Sequence, residues 1–166
     1  RVETAIGKND RLSASCEMRY RALRDGPRVL KFALLPSLRV VRVTVKGKEI
    51  GFIQEPRKQD GSLYVIFPEP LQKGAVQSVT IEYEGNKVVQ KAGNGSFYVG
   101  ARTSWYPNVN TFTERSTFDL TFKIPKSYAL VSVGKLVKEW KEDDYAATQW
   151  VSGTPLAVAG FNYGTF

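Results

Sequence analysis

Residues 100–136 read G-A-R-T-S-W-Y-P-N-V-N-T-F-T-E-R-S-T-F-D-L-T-F-K-I-P-K-S-Y-A-L-V-S-V-G-K-L, and the alternation within them decides the fold class. Phe118, Leu120, Phe122 and Ile124 alternate with Thr117, Asp119, Thr121 and Lys123. A strand turns successive side chains to opposite faces, so this spacing puts four large apolar groups on one side and polar groups on the other. That predicts a half-buried antiparallel strand. Pro125 removes a ladder donor and Lys126-Ser127 open a turn, which ends the strand before residues 128–133 begin the next. Phe118 belongs to the predicted core, and Lys123 to the surface.

Just ahead of this strand, residues 102–110 pack Trp105, Tyr106 and Pro107 between polar residues. Two readings of that loop follow from its composition. Trp105, Tyr106, Asn108 and Asn110 line a ligand groove, since aromatic platforms with amides suit sugars or peptide ends. Alternatively the loop folds back to cap the core, with the Asn side chains closing its turns.

Further out, Leu12, Ala14, Cys16, Met18, Tyr20 and Ala22 alternate with Arg11, Ser13, Ser15, Glu17, Arg19 and Arg21, which predicts a long strand with a basic outer face. Asp25-Gly26-Pro27 supplies a turn, residues 29–35 a second strand, and Pro36-Ser37 a break. Val41, Val43 and Val45 form the inward phase of a third strand, and Gly47-Lys48 is the expected two-residue hairpin that returns the chain through residues 50–53. Residues 62–67 and Val79, Ile81 and Tyr83 mark two more strands. Residues 90–100, rich in Gly, Asn, Ser and Lys, read as a flexible loop between strand sets. Residues 138–140 and 145–151 pair across the charged turn 141–144, and residues 155–166 form a last strand of small residues. No window shows the 3.6-residue period of an amphipathic helix. Roughly ten to a dozen short strands predict a single all-β domain over residues 1–166, an antiparallel β-sandwich or saddle.

Composition excludes more than it assigns. The chain has 166 residues, 42% of them hydrophobic, which is ordinary for a globular domain with a real core. Its apolar runs fall far short of the roughly 18 residues of a spanning helix. It starts at Arg1 without an initiator Met, as a processed or excised piece of a longer protein does. Cys16 is the single cysteine and reads as buried packing. There is no histidine, so neither a catalytic zinc site nor an imidazole-based nucleophile can be built from these residues. The net charge of +8 is concentrated in residues 1–60, where 14 basic and 7 acidic groups leave +7. Those cations occupy the outward phase of amphipathic strands while the aromatics fall mostly in the inward phase, which is the pattern of a solvated face and not of nucleic-acid binding.

With those residues in view a resemblance emerges. Ala101-Arg102, the aromatic-Pro step Tyr106-Pro107, Thr117-Phe118-Asp119-Leu120-Thr121 and Ile124-Pro125-Lys126 resemble the segment A-R-x-x-F-P-C-F-D-E-P-x-x-K-A-T-F-D-L-T-V-x-V-P-K of zinc aminopeptidases of the membrane alanyl aminopeptidase family, the gluzincins. Phe67-Pro68-Glu69-Pro70-Leu71, Ile81-Glu82-Tyr83-Glu84-Gly85 and the closing T-P-L-A-V-A-G-F and Y-G-T-F look the same way.

The resemblance implies a non-catalytic N-terminal β domain that helps shape the substrate cleft for a peptide, packed on a downstream catalytic domain of the same chain. That domain would carry zinc on a His-Glu-x-x-His motif. By the same resemblance a side chain a few residues ahead of the Ala-Arg step holds the substrate's free amino terminus; this chain has Ser96 and Tyr98 there, with no Gln or Glu between residues 95 and 98. Where the family has Cys-Phe-Asp-Glu-Pro, this chain has Asn108-Val109-Asn110-Thr111-Phe112, without the acidic pair. Ser96, Tyr98, Arg102, Trp105, Tyr106, Asn108 and Asn110 are thus the cleft candidates, and periplasmic, secreted or membrane-anchored placement stands ahead of cytoplasmic. The loop at Trp105 and residues 155–166 are expected to form an exposed apolar junction face and to drive weak self-association. The alternative is a stand-alone binding or scaffolding β domain of a relative that has lost peptidase chemistry.

Overall fold

The computed structural model describes residues 1–109 and 114–165. In chain order the strands among them are β1 (Val2–Ile6), β2 (Leu12–Arg21), β3 (Val29–Phe32), β4 (Leu38–Val45), β5 (Lys48–Glu49), β6 (Gly51–Gln54), β7 (Leu63–Ile66), β8 (Val76–Gly85), β9 (Gln90–Gly93), β10 (Ser96–Val99), β11 (Asp119–Pro125), β12 (Ala129–Ser132), β13 (Lys135–Glu142), β14 (Tyr145–Val151) and β15 (Phe161–Gly164). They form an eight-stranded sheet ordered β13-β14-β11-β1-β2-β8-β4-β5, a four-stranded sheet β12-β15-β10-β9 and a three-stranded sheet β3-β7-β6. The all-β class is as expected. One strand pair is not antiparallel: β1 runs parallel to β11 at the centre of the large sheet, and it was not among the predicted strands.

The core lies between the sheets and follows the sequence period. Leu120, Phe122 and Ile124 on β11 and Val79, Ile81 and Tyr83 on β8 are buried, as are Leu12, Ala14 and Cys16 on β2. Each large side chain so buried contributes about 1.5–3 kcal/mol of apolar transfer. Phe122 joins two sheets, its ring 4.6 Å from that of Phe161 on β15. Thr121, on the outer face of β11, is buried as well.

Five expectations need correction. Phe118 lies before β11 and is only half-buried; its backbone is tied to Ser152 instead, whose Oγ accepts from Phe118 N at 2.8 Å. Val41 is 60% exposed, since the register with β8 shifts between Val40 and Arg42. That bulge inserts one residue, so the inward phase passes from Leu38 and Val40 to Val43 and Val45. The hairpin turn is Lys46-Gly47, one residue earlier than read, with φ of 51° and 75° at the two positions, as a type I′ turn requires. Residues 90–100 are not a loop but the hairpin β9–β10, turned by Asn94-Gly95 at φ 50° and 73°. Residues 155–160 precede the last strand, which is confined to β15.

One contact crosses between sheets at their margin. Beyond its short pairing with β5, the outer edge of β4 meets the side-chain amide of Gln54 from β6: Val40 N donates to Gln54 Oε1 and Gln54 Nε2 donates to Leu38 O, both at 2.9 Å.

Candidate functional site

The turn at Asn94-Gly95 sets the site, because it fixes which way β10 presents Ser96 and Tyr98. Cross-strand register then aligns Val131, Asn162, Tyr98 and Gln90 in one row over the four-stranded sheet, and Ala129, Gly164, Ser96 and Gly93 in the next. The opposite face of the same strands carries Leu130, Phe161, Tyr163 and Val99, all buried. The first row is therefore the open face. Val131 is 52% and Tyr98 36% exposed, and the Tyr98 hydroxyl donates to Gln90 Oε1 at 2.6 Å. Ser96 is half-buried beside Gly164. A Cβ at Gly164 would lie 2.8 Å from Gly95 O and 3.0 Å from Ser96 Cα, so glycine alone lets β15 pass this close to β10.

The aromatic loop goes inward. Trp105 is 0% exposed, its indole N–H donates to Ala159 O at 2.8 Å, and its ring meets those of Tyr106, Phe122 and Phe161. Tyr106 is buried too; its hydroxyl accepts from Ala159 N at 3.3 Å, and burial pushes its pKa up. Asn108 makes an antiparallel bridge to Ala33, and its Nδ2 donates to Tyr106 O at 3.0 Å. The loop is a core cap and not an open aromatic platform. Trp105, Tyr106 and Pro107 are buried, as are Phe161 and Tyr163, while Tyr106, Pro107 and Val109 border, with Leu156 and Ala157, a hollow of about 660 Å³. Arg102 stands on the turn closed by Thr103 N donating to Gly100 O, and it borders a separate hollow of about 460 Å³ shared with Lys31 and Asp60. Asn110 lies outside the described residues. The structure thus gathers Ser96 and Tyr98 on one face and separates them from Arg102, Trp105, Tyr106 and Asn108.

Sequence reasoning missed Gln90, Val131 and Asn162. Asn-Gly between short runs was the available hairpin signal for Gln90; the other two required the cross-strand register. What the row lacks is also informative. Apart from Tyr98 no residue of the two rows is ionisable. The outer face of the large sheet is the reverse, with ion pairs Arg1–Glu3, Arg11–Glu84, Arg42–Glu82 and Lys123–Glu142.

The residues present do not fit a catalytic zinc. The sequence has no histidine, and burial pushes the Cys16 thiol up to about 12, far from the thiolate a metal needs. Among the described residues no three acidic or thiol groups gather.

No family model matches the sequence, and no curated protein matches it. Solved structures do match the fold. A variant of the M1 zinc metallopeptidase from Deinococcus radiodurans bound to a Tyr-Ser-Ala substrate superposes with a TM-score of 0.84 at 15% identity, over 98% of this chain and 40% of that one. A two-domain M1 zinc metallopeptidase variant bound to L-tryptophan gives 0.83 at 15% identity, over 98% and 41%. Yeast LTA4 hydrolase in complex with bestatin gives 0.77 at 19% identity, over 98% and 27%. The chain spans about two fifths of the length of the first of these, and nearly all of it has the β-domain fold found in M1 zinc metallopeptidases.

Proposed function

We propose that this chain is the non-catalytic N-terminal β domain of a zinc aminopeptidase-like protein, packed on a catalytic domain that holds the zinc and cleaves N-terminal residues from peptides. The observation that carries the reading is coverage: 98% of a chain without histidine superposes on two fifths of a zinc metallopeptidase. The remaining three fifths of such a protein must supply the metal ligands. The open face of the four-stranded sheet, with Tyr98, Ser96 and Asn162, is assigned to the junction and the cleft wall. It is the outer face without charge, and the centres of interfaces are depleted in charge.

Expression of the complete reading frame tests this. Expected are one zinc per chain by elemental analysis and hydrolysis of an aminoacyl-p-nitroanilide. Tyr98→Asp or Val131→Asp should lower kcat/KM by more than about tenfold, because an unpaired charge would be buried at the junction. Ser13→Asp, on the charged outer face of the large sheet, should leave it unchanged. Equal effects at both faces would remove the cleft assignment. A protein without zinc or activity would support the scaffolding reading, with which the internal packing of the Trp105 loop also agrees.

A further inference from the structure

At one end of the large sheet β2 begins, β8 ends and β4 begins side by side, with Leu12 and Leu38 both paired to Gly85. On the outward side of that junction Arg39 lies directly across from Glu84, and Arg11 forms an ion pair with the same carboxylate. Arg39 is held from behind, its Nη1 donating to Glu55 O at 2.8 Å and its Nη2 to Gln54 O at 3.5 Å. Arg57 and Lys87 complete the charged lining of a hollow of about 560 Å³. Four cations and one carboxylate leave a formal excess of three positive charges. The hydrogen bond from Arg11 holds Glu84 below the usual carboxylate range, so Glu84 stays charged and engaged. Lys87 is fixed at φ 62°, in the left-handed region that costs a non-glycine residue energy, immediately before the buried Val88.

A concavity lined mainly by one sign focuses the field on a counter-ion, and guanidinium forks match the oxygens of a tetrahedral oxyanion. Arg11 and Arg39 are already immobilised by protein partners, which lowers the ordering cost of binding. We propose that this hollow binds a phosphate group, with Arg57 and Lys87 supplying charge that has no ion-pair partner among the described residues and Arg39 supplying a fixed donor face. The site is independent of the peptidase reading.

Backbone-amide NMR titration of the chain with inorganic phosphate and, separately, O-phosphoserine tests it, with ionic strength held constant by chloride. Saturable shifts are expected at Ser37, Gly85, Asn86 and Lys87. Arg57→Ala and Lys87→Ala should each weaken binding about tenfold, as loss of a charge-assisted contact does. Arg19→Ala and Arg21→Ala, cations on the same sheet outside the hollow, should change nothing. Tighter binding of phosphoserine would assign the site to a phosphomonoester, and equal binding to the free ion. Shifts that never saturate, or an Arg19→Ala effect as large as that of Arg57→Ala, would overturn the proposal in favour of diffuse charge.

Discussion

The outer faces of the two larger sheets obey the same alternation and differ in almost every other respect. On the eight-stranded sheet, Glu3, Glu82, Glu84 and Glu142 each find a cation on the same outer face. On the four-stranded sheet the corresponding positions hold Val131, Asn162, Tyr98, Ser96 and Gln90. Exposed ion pairs contribute little to folding, so the ladder is not there for stability. It keeps a broad, flat face wetted and unattractive to other chains. A face without such a ladder, on the same chain and over the same core, is suited to being covered. The contrast supports the proposed placement of the junction on the uncharged face, while Trp105 and Tyr106 of the aromatic loop are buried in the core.

The largest test separates the two faces by removing the joint between their sheets. Phe122→Ala takes away the ring that meets Trp105 and Phe161, and should destabilise by about 3–5 kcal/mol in urea melts. Phe118→Ala, half-buried outside the strand, should cost clearly less. Next comes Gly164→Ala, which forces β15 away from β10; a loss of about 1–3 kcal/mol is expected, with amide shifts confined to the uncharged face. Tyr98→Lys should alter the isolated domain by about 1 kcal/mol or less, the value of one exposed hydrogen bond, while preventing assembly with the proposed catalytic domain. A domain that assembled normally with Lys at this position would break the comparison.

Smallest of all is the ladder. Arg11→Ala and Arg42→Ala should lower the urea midpoint at neutral pH only slightly. Their effect belongs in a titration: Glu84, held low by its hydrogen bond and charge interaction with Arg11, should regain an ordinary carboxylate pKa in Arg11→Ala. A depressed carboxylate stabilises the fold above its unfolded pKa and loses that contribution as pH falls through its folded value. The wild-type chain should therefore show a slight acid-side loss that the variant lacks.

Period-2 alternation made β2, β8 and β11 legible, because each buries one face along its length. β1 escaped notice since V-E-T-A-I is short and acquires meaning only between β2 and β11. The Val41 bulge is set by its pairing with β8 and leaves no local mark. β9 was hidden by composition, Lys91, Ala92 and Gly93 being poor strand formers, although the Asn94-Gly95 turn that creates the hairpin was in plain view. At the site, resemblance drew the eye to Ser96, and alternation then implies Tyr98. Asn162, 66 residues from Ser96 in the numbering, became a neighbour of Tyr98 only through strand register. The inward turn of Trp105 depends on Ala159 offering its carbonyl from across the core, which no local pattern encodes.

The Gln54 amide at the margin of β4 has a consequence for the life of the chain outside its own fold. An unpaired strand margin is a template on which another polypeptide can lay itself down and propagate. Here one side chain imitates a peptide unit, presenting an acceptor to Val40 and a donor to Leu38, so the template is occupied at the point where the chain leaves one sheet for another. Glutamate at this position would keep the acceptor and lose the donor, turning a carboxylate toward the Leu38 carbonyl. The gap so opened lies beside the exposed Val41, and a nascent fibril would find its first foothold there.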